Sequence, residues 1–235
     1  MSLLQTRSLE AFYGDFQALF GIDMTVEAGE TVAIIGANGA GKSTFLKALC
    51  GLMPGLNGEV RFDGLELGDL TAHAIVRLGL ALVPEGRKLF QSLSVEENLL
   101  IGAHTKRPGP WTLETVYGLF PMLHQRRHAP GTDLSGGQQQ MVAIGRALMS
   151  NPKLLLCDEL SLGLAPVVIK DIYEVLPEIS AQGSTVIIVE QDINQAMAVS
   201  DKLYCLQEGR VTLQGHPDSV TRDQITQAYF GMEQA

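Results

Sequence analysis

The feature that most constrains this sequence is a glycine-rich run, Gly36-Ala37-Asn38-Gly39-Ala40-Gly41-Lys42-Ser43-Thr44. It matches the phosphate-binding pattern G-x-x-x-x-G-K-[ST], in which glycines let the backbone turn tightly and point its N–H groups at a polyphosphate. In this pattern Lys42 reaches the β- and γ-phosphates, and the Ser43 hydroxyl binds Mg²⁺. The run therefore predicts a binding site for a nucleoside triphosphate.

The segments on either side of the run support this interpretation. Residues 31–35 are apolar and β-branched, which is typical of a buried strand. After the run, Phe45, Leu46 and Leu49 recur at helical spacing, and Gly51 follows where that helix would end. A strand, a glycine loop and a helix N-terminus together form an anion site, so an incidental glycine turn is the weaker interpretation.

Composition limits the partners that such a site can serve. The 235 residues carry a net charge of −9, which argues against DNA or RNA as the main partner because phosphate backbones require a basic surface. No stretch approaches the ~18 consecutive apolar residues of a membrane span, so we expect no direct membrane insertion. The three cysteines are widely spaced and the five histidines lack metal-ligand spacing, which predicts buried reduced thiols and surface imidazoles.

The order of apolar segments predicts an α/β fold. Strand-like runs recur along the chain, at 31–35, 80–83, 153–157 and 185–189. Helical patterns separate them, which implies a mostly parallel sheet with both faces covered.

Several other segments have a recognisable pattern. The pattern is helical within 85–150, at 95–103, 113–119 and 138–149, which predicts a helical insertion between strands. A helix is expected over 167–179, a hairpin over 202–214 with its turn at Glu208-Gly209, and a final helix over 222–230.

The strand at 154–157 ends in two carboxylates, Asp158 and Glu159. An acidic residue at a strand tip beside a phosphate loop can complete the shell of Mg²⁺, a role that fits Asp158. Glu159 could orient or deprotonate an attacking water. The pair alone could equally be a solvated loop, but beside the glycine-rich run it favours a hydrolytic site.

A third motif, Leu134-Ser135-Gly136-Gly137-Gln138, distinguishes this chain from most enzymes with such a phosphate loop. Ser135 can cap a helix, and the two glycines leave the first-turn amides uncovered. The helix that follows carries Met141, Ile144 and Leu148 along one face. An ordinary capped helix is the simpler interpretation, but the position between loop and acidic strand argues against it.

The loop at 36–44, the run at 134–138 and the pair Asp158-Glu159 together resemble the nucleotide-binding subunit of ABC transporters over nearly the whole chain. Other segments resemble, more narrowly, the second ATP-binding subunit of branched-chain amino acid importers, at 81–87, 94–99, 161–166 and 189–191. An importer of urea or short amides would look very similar.

The resemblance implies an α/β fold of the P-loop NTPase type, as a single ABC ATP-binding domain over 1–235. A mostly parallel core sheet, an antiparallel β subdomain and a helical subdomain at about 85–150 would compose it. The cofactors would be ATP and Mg²⁺. Tyr13 matches the aromatic residue that stacks on adenine in this family, although core packing would also explain a tyrosine there.

The resemblance also implies a cycle between two subunits. They would face head to tail, so that residues 134–138 of one cover ATP on the phosphate loop of the other. Hydrolysis and separation would then move transmembrane permease subunits. The chain itself would be cytoplasmic and peripheral, on the inner face of the cell membrane.

Some positions depart from the family's usual residues. Glu85, where most members have Gln, could approach the metal, and Gln191 stands at the catalytic switch position that is usually His. Gln can hydrogen-bond a γ-phosphate or water but cannot carry a proton at neutral pH. Ala165 replaces an Asp that contacts the partner, and Leu160 replaces a Pro. Because Gln191 cannot carry a proton at neutral pH, we expect a heterodimer with a different ATP-binding subunit that carries His at the switch position.

Other functions fit the sequence less well. A soluble ABC ATPase that acts on ribosomes or DNA usually has two cassettes or a coiled-coil insertion, and neither is present. A P-loop kinase or GTPase is disfavoured by the motif at 134–138. Glu159 argues against a degenerate, non-hydrolysing ABC regulator, while Gln191 and Leu160 leave that alternative open.

Overall fold

The protein alternates strands and helices in a computed structural model that describes residues 2–230. The strands are β1 Ser2–Tyr13, β2 Phe16–Glu27, β3 Thr31–Ile35, β4 Gly55–Phe62, β5 Leu65–Glu66, β6 Leu80–Val83, β7 Leu154–Asp158, β8 Thr185–Glu190, β9 Lys202–Gln207 and β10 Arg210–Gly215. The helices are α1 Lys42–Leu49, α2 Ala72–Leu78, α3 Val95–Gly102, α4 Leu113–Leu119, α5 Pro121–Gln125, α6 Gly136–Leu148, α7 Pro166–Glu174, α8 Leu176–Ala181, α9 Ile193–Val199 and α10 Arg222–Phe230.

The central sheet has the order β10-β9-β3-β8-β7-β6, and only the edge strand β10 runs antiparallel to its neighbour. Every residue of β3, β7 and β8 is buried, as parallel strands covered on both faces require. The mostly parallel sheet is thus confirmed. The predicted hairpin near the C terminus is also confirmed, with Glu208-Gly209 as its turn.

A second, antiparallel sheet has the order β2-β1-β4-β5 and confirms that part of the expected fold. One apolar core lies between this sheet, α1 and the central sheet, and includes Leu4, Ile22 and Phe45. Sequence patterns did not single out β1, because its buried positions do not follow a strict alternation. Its pairing with β2 contains register shifts that interrupt the period of two.

Helices α3 to α6 occupy the chain between the adjacent strands β6 and β7, as the helical pattern predicted. The structure adds α5, which begins at Pro121 immediately after α4. A second apolar core joins these helices to the other face of the central sheet, with Leu99, Val142 and Leu155 among its members. Whether 85–150 is a separate subdomain stays a prediction.

The prediction of one helix over 167–179 is wrong. The chain forms α7 and α8 instead, with Val175 between them at φ −88° and ψ −13°. Pro177 lies in the first turn of α8, where its missing N–H is tolerated. In one continuous helix its ring would collide with the carbonyl of Tyr173, so the helix ends before it.

Two smaller expectations are confirmed. All three cysteines are buried and form no disulfide, and all five histidines are exposed. Across residues 2–230, none of the helices combines the length and the apolar character that a bilayer span requires.

Candidate active site

The glycine-rich loop follows the carboxyl end of β3, which lies between β9 and β8 in the sheet. Its first residue, Gly36, passes so close to the next strand that a Cβ there would lie 2.3 Å from the carbonyl oxygen of Leu206. The loop then enters α1 at Lys42. The N-terminus of this helix therefore lies at the edge of the sheet, where it can receive an anion.

Lys42 is only 4% exposed and is held by its own loop. Its Nζ donates to the carbonyl oxygens of Gly36 at 2.7 Å and Ala37 at 3.1 Å, and lies 3.7 Å from a Glu159 oxygen. Burial lowers the pKa of the Lys42 ammonium, and the negative charges of Glu159 and Asp158 oppose that shift. Phosphate oxygens could replace the loop carbonyls as acceptors without further desolvation of the ammonium.

Ser43 and Asp158 meet as the sequence predicts, with the Ser43 hydroxyl donating to an Asp158 oxygen at 2.9 Å. Burial raises the pKa of the Asp158 carboxyl, the charges of Glu159 and Glu85 raise it further, and the Ser43 hydrogen bond opposes them. Within residues 2–230 no cluster of three or more His, Cys, Asp or Glu could hold a metal alone. One hydroxyl and one carboxylate suit Mg²⁺, which keeps several waters and binds phosphate oxygens.

Glu159 and Gln191 come together because β7 and β8 are parallel neighbours whose carboxyl ends coincide. The Gln191 Nε2 donates to a Glu159 oxygen at 2.9 Å, and the Glu159 N–H donates to the Val189 carbonyl at 3.0 Å. Glu159 adopts the left-handed φ of 51°, a conformation that costs free energy for a residue other than glycine. The surroundings therefore fix this carboxylate in place above the phosphate loop.

A cleft of about 620 Å³ joins these groups, a size within the usual range for small-molecule sites. Its lining includes predicted site residues, namely Tyr13, Asn38, Gly39, Gly41, Lys42, Ser43, Thr44, Glu85, Glu159 and Gln191. Ala37 and Ala40 border an adjoining cavity.

Tyr13 is 45% exposed, which excludes the core-packing interpretation. Its hydroxyl lies 3.3 Å from the Thr44 hydroxyl, and its ring faces the same cleft as the phosphate loop. Sequence reasoning missed Phe16, which is 69% exposed, lines the cleft and pairs with Tyr13 across the β1–β2 turn. The turn residues Gly14-Asp15 between two aromatic residues were the available signal.

Two side chains, those of Asn98 and Arg146, hydrogen-bond the backbone of the loop that carries Glu85. The buried amide of Asn98 bonds the backbone of Phe90 in both directions and also the carbonyl of Leu93. Arg146 on α6 donates to the carbonyls of Arg87 and Lys88 at 3.0 and 2.9 Å. This loop therefore connects the predicted metal site to the helices between β6 and β7.

Ser135 caps α6 as predicted, in a reciprocal capping box with Gln138. Leu134 is buried before it, and Gly137 packs against α7 so closely that a Cβ would lie 2.3 Å from a methyl group of Val168. Among the described residues that line the cleft, none comes from 134–138. Contact of this motif with ATP of a partner stays a prediction.

Comparisons with known proteins agree with this geometry. A family model described as "ABC transporter" matches residues 19–161. The chain is 43% identical to the high-affinity branched-chain amino acid transport ATP-binding protein BraG of Pseudomonas aeruginosa, covering 97% of this chain and 100% of BraG. It is 33% identical to the probable branched-chain amino acid transport ATP-binding protein LivF of Archaeoglobus fulgidus, covering 91% of this chain and 92% of LivF. A solved dimeric ATP-binding cassette with ADP and Pi has a TM-score of 0.81 at 27% identity, covering 91% of this chain and 98% of that one.

Proposed function

Because the chain belongs to the ABC transporter family of ATP-binding proteins, we propose that it is the ATP-hydrolysing subunit of an importer for branched-chain amino acids. The observation that carries this proposal is the 43% identity to BraG over 97% of this chain and 100% of BraG. Similarity to LivF, whose name gives the same transport class, supports it. Fold alone would not, because one fold can serve many substrates.

ATP occupies the cleft with its phosphates on residues 36–44. The Lys42 ammonium exchanges its loop carbonyls for β- and γ-phosphate oxygens. The exposed ring of Tyr13 stacks on adenine at the other end of the cleft, and the geometry of Phe16 suits a second contact.

Ser43 and Asp158 are the residues that hold Mg²⁺, with Glu85 facing the same cleft. When bound, the ion neutralises charge on the phosphate oxygens. Glu159 orients the attacking water and accepts a proton from it as the water oxygen bonds to the γ-phosphorus. The bond from that phosphorus to the oxygen bridging the β- and γ-phosphates breaks, and this oxygen leaves with ADP. The Gln191 amide, now bonded to Glu159, holds that carboxylate in position and can also bond the γ-phosphate.

A second ATP-binding subunit completes the site with its own motif at 134–138. Two observations support this arrangement: that motif is not among the described residues lining this chain's cleft, and a dimeric cassette is a structural neighbour. Gln191 and Ala165 support a partner of different sequence. The assembled pair binds permease subunits at the cytoplasmic face of the membrane, and neither nucleic acid nor direct membrane insertion is involved.

Uptake of labelled leucine tests the transport class. A host strain that lacks this chain would be complemented with the wild type or with Lys42→Ala, and leucine and urea uptake would be measured side by side. We expect wild type alone to restore leucine uptake. Restored urea uptake without leucine uptake would reassign the substrate to short amides.

Binding of Mg·ATP tests the site itself. Lys42→Ala should lose it because the phosphates lose their principal cation, while exposed Lys170→Ala on α7 should retain it. Unchanged affinity in Lys42→Ala would refute the proposed site. Tight binding without turnover in the assembled transporter would indicate a non-hydrolysing regulator.

A further inference from the structure

One buried carboxylate, Glu190 at the end of β8, has no part in the mechanism above. It is 1% exposed, although it directly precedes Gln191. In residues 2–230 no lysine, arginine or histidine forms an ion pair with it. Burial of an unpaired carboxylate is costly unless hydrogen bonds satisfy it, so its partners indicate what it does.

The partners of Glu190 are two residues from separate segments. Ser161 donates twice, from its hydroxyl at 2.7 Å and from its backbone N–H at 3.3 Å. The hydroxyl of Tyr173 on α7 donates to Oε1, the same oxygen that accepts from the Ser161 N–H. Loss of any of these hydrogen bonds would leave a buried polar atom unpaired, which is costly. Glu190 therefore holds Ser161 and Tyr173 at a fixed distance from each other.

These contacts hold one end of the short turn 159–161, and the other end carries Glu159, the residue assigned to hydrolysis. Gln191 bonds Glu159, and Glu190 bonds Ser161, with the buried side chain of Leu160 between them. The left-handed φ of Glu159 needs such support from its surroundings, since nothing in its own sequence favours it. Glu190, the last residue of β8, and Gln191, which follows it, therefore hold the two ends of the turn 159–161. We call Glu190 and its two donors, Ser161 and Tyr173, the clamp.

The clamp reaches beyond the turn through α7. Tyr173 is 8% exposed and lies in the same apolar core as Leu160. On the same helix, Val168 packs directly against Gly137 at the start of α6. The hydrogen bond from Tyr173 to Glu190 therefore links the turn 159–161 to α7, the helix that packs on the motif at 134–138.

We propose that Glu190 is a positioning residue, which acts through Ser161 and Tyr173 to hold the turn 159–161 so that the Glu159 carboxylate faces the γ-phosphate. This inference rests on the proposed function, because it assigns Glu159 to hydrolysis. Loss of the clamp should lower the rate of the chemical step and leave ATP binding intact, since none of its members lines the cleft among the described residues.

Tyr173→Phe and Ser161→Ala, assayed for ATPase in the assembled complex, test this inference. Each should lower kcat by about fivefold to tenfold, because small misplacements of reacting groups have large effects on rate. KM for ATP should change by less than about twofold, as expected when an interaction specific to the transition state is lost. The double variant should lose less than the product of the single losses, since both act through one carboxylate.

Tyr204→Phe is the matched control. Tyr204 is also buried, and its hydroxyl bonds both the N–H and the carbonyl of Thr25, away from the turn. It should lower the melting temperature and leave kcat unchanged. If Tyr173→Phe destabilises the fold more than this control does, the half-buried Ser161→Ala decides by itself.

Unchanged kcat in Ser161→Ala and Tyr173→Phe, or equal loss of kcat in Tyr204→Phe, would overturn the inference. Binding of Mg·ATP by wild type and its loss in Lys42→Ala separate this result from the proposed function. If wild type binds and hydrolyses ATP while the clamp variants match it, only the role of Glu190 fails.

Discussion

Asp158 is a residue of this site whose buried negative charge lowers the stability of the fold. Its carboxyl is buried and close to the charges of Glu159 and Glu85, and these surroundings disfavour its ionised form. Such an arrangement is retained where a cation is to be received. Stability in the absence of Mg²⁺ is therefore lower than the same fold could achieve.

Asp158→Asn should raise the melting temperature of the metal-free protein. The amide keeps an oxygen that can accept from Ser43 but removes the buried charge. We expect a gain of about 0.5–2 kcal/mol, which corresponds to roughly 1–8 °C for a chain of this length. Thermal unfolding followed by circular dichroism measures it, and Mg·ATP affinity should fall at the same time.

The dependence of this gain on pH has a definite sign. The folded protein holds the Asp158 proton more tightly than the unfolded chain does, so wild type loses stability as pH rises from the ordinary carboxyl range through the raised pKa. The gain of Asp158→Asn should be present at pH 7 and shrink as pH falls toward that range. Adding Mg²⁺ with ATP should stabilise wild type more than the variant. A gain independent of pH would contradict the electrostatic cause.

At the scale of secondary-structure elements, the close contact of α6 with α7 requires a residue without a side chain at position 137. Gly137→Ala should destabilise the protein, because the new methyl group would lie 2.3 Å from Val168 Cγ1. Overpacking of this kind costs about 1–3 kcal/mol. The free energy of unfolding in urea measures the loss. Val168→Ala in the same chain should recover most of it, since the obstructing methyl groups are removed.

Gly118→Ala on α4 is the control for this experiment. No heavy atom lies within 4 Å of a Cβ at Gly118, and its φ is not left-handed. Alanine there should stabilise the helix by about 0.5–1 kcal/mol because it lowers the entropy lost on folding. If both glycine variants gain stability, packing on Val168 does not explain Gly137.

These elements also show what the sequence alone could predict. The strand, loop and helix around Lys42 were predictable because turn geometry, apolar runs and phosphate chemistry all act within 20 residues or so. Pro177 marked the break between α7 and α8, yet the surrounding apolar periodicity concealed it. The packing of Gly137 on Val168 and the contact of Glu190 with Tyr173 depend on how separate helices and strands pack against each other, which no local pattern reveals.

For the whole molecule, local sequence patterns predict the strands of the central sheet but not the antiparallel sheet. Parallel strands buried on both faces are continuous apolar runs, so β3, β7 and β8 could be predicted. The antiparallel sheet followed only from the family resemblance, because the register shifts in β1 disrupt its alternation. Consequently, of the cleft wall that this sheet supplies, only Tyr13 was predicted, through the family resemblance, and Phe16 was left out.

The assembled pair of cassettes should depend on the residue at position 191. A Gln191 amide cannot carry a proton at neutral pH, so two copies of this chain should hydrolyse ATP slowly. Mixing with a cassette that has His at this position should raise turnover per site by at least about tenfold, because positioned acid–base groups contribute such factors. Gln191→His should raise the activity of the isolated chain in the same direction. A lone wild-type chain as active as the mixture, measured by phosphate release, would contradict the asymmetric pair and leave two identical subunits as the working unit.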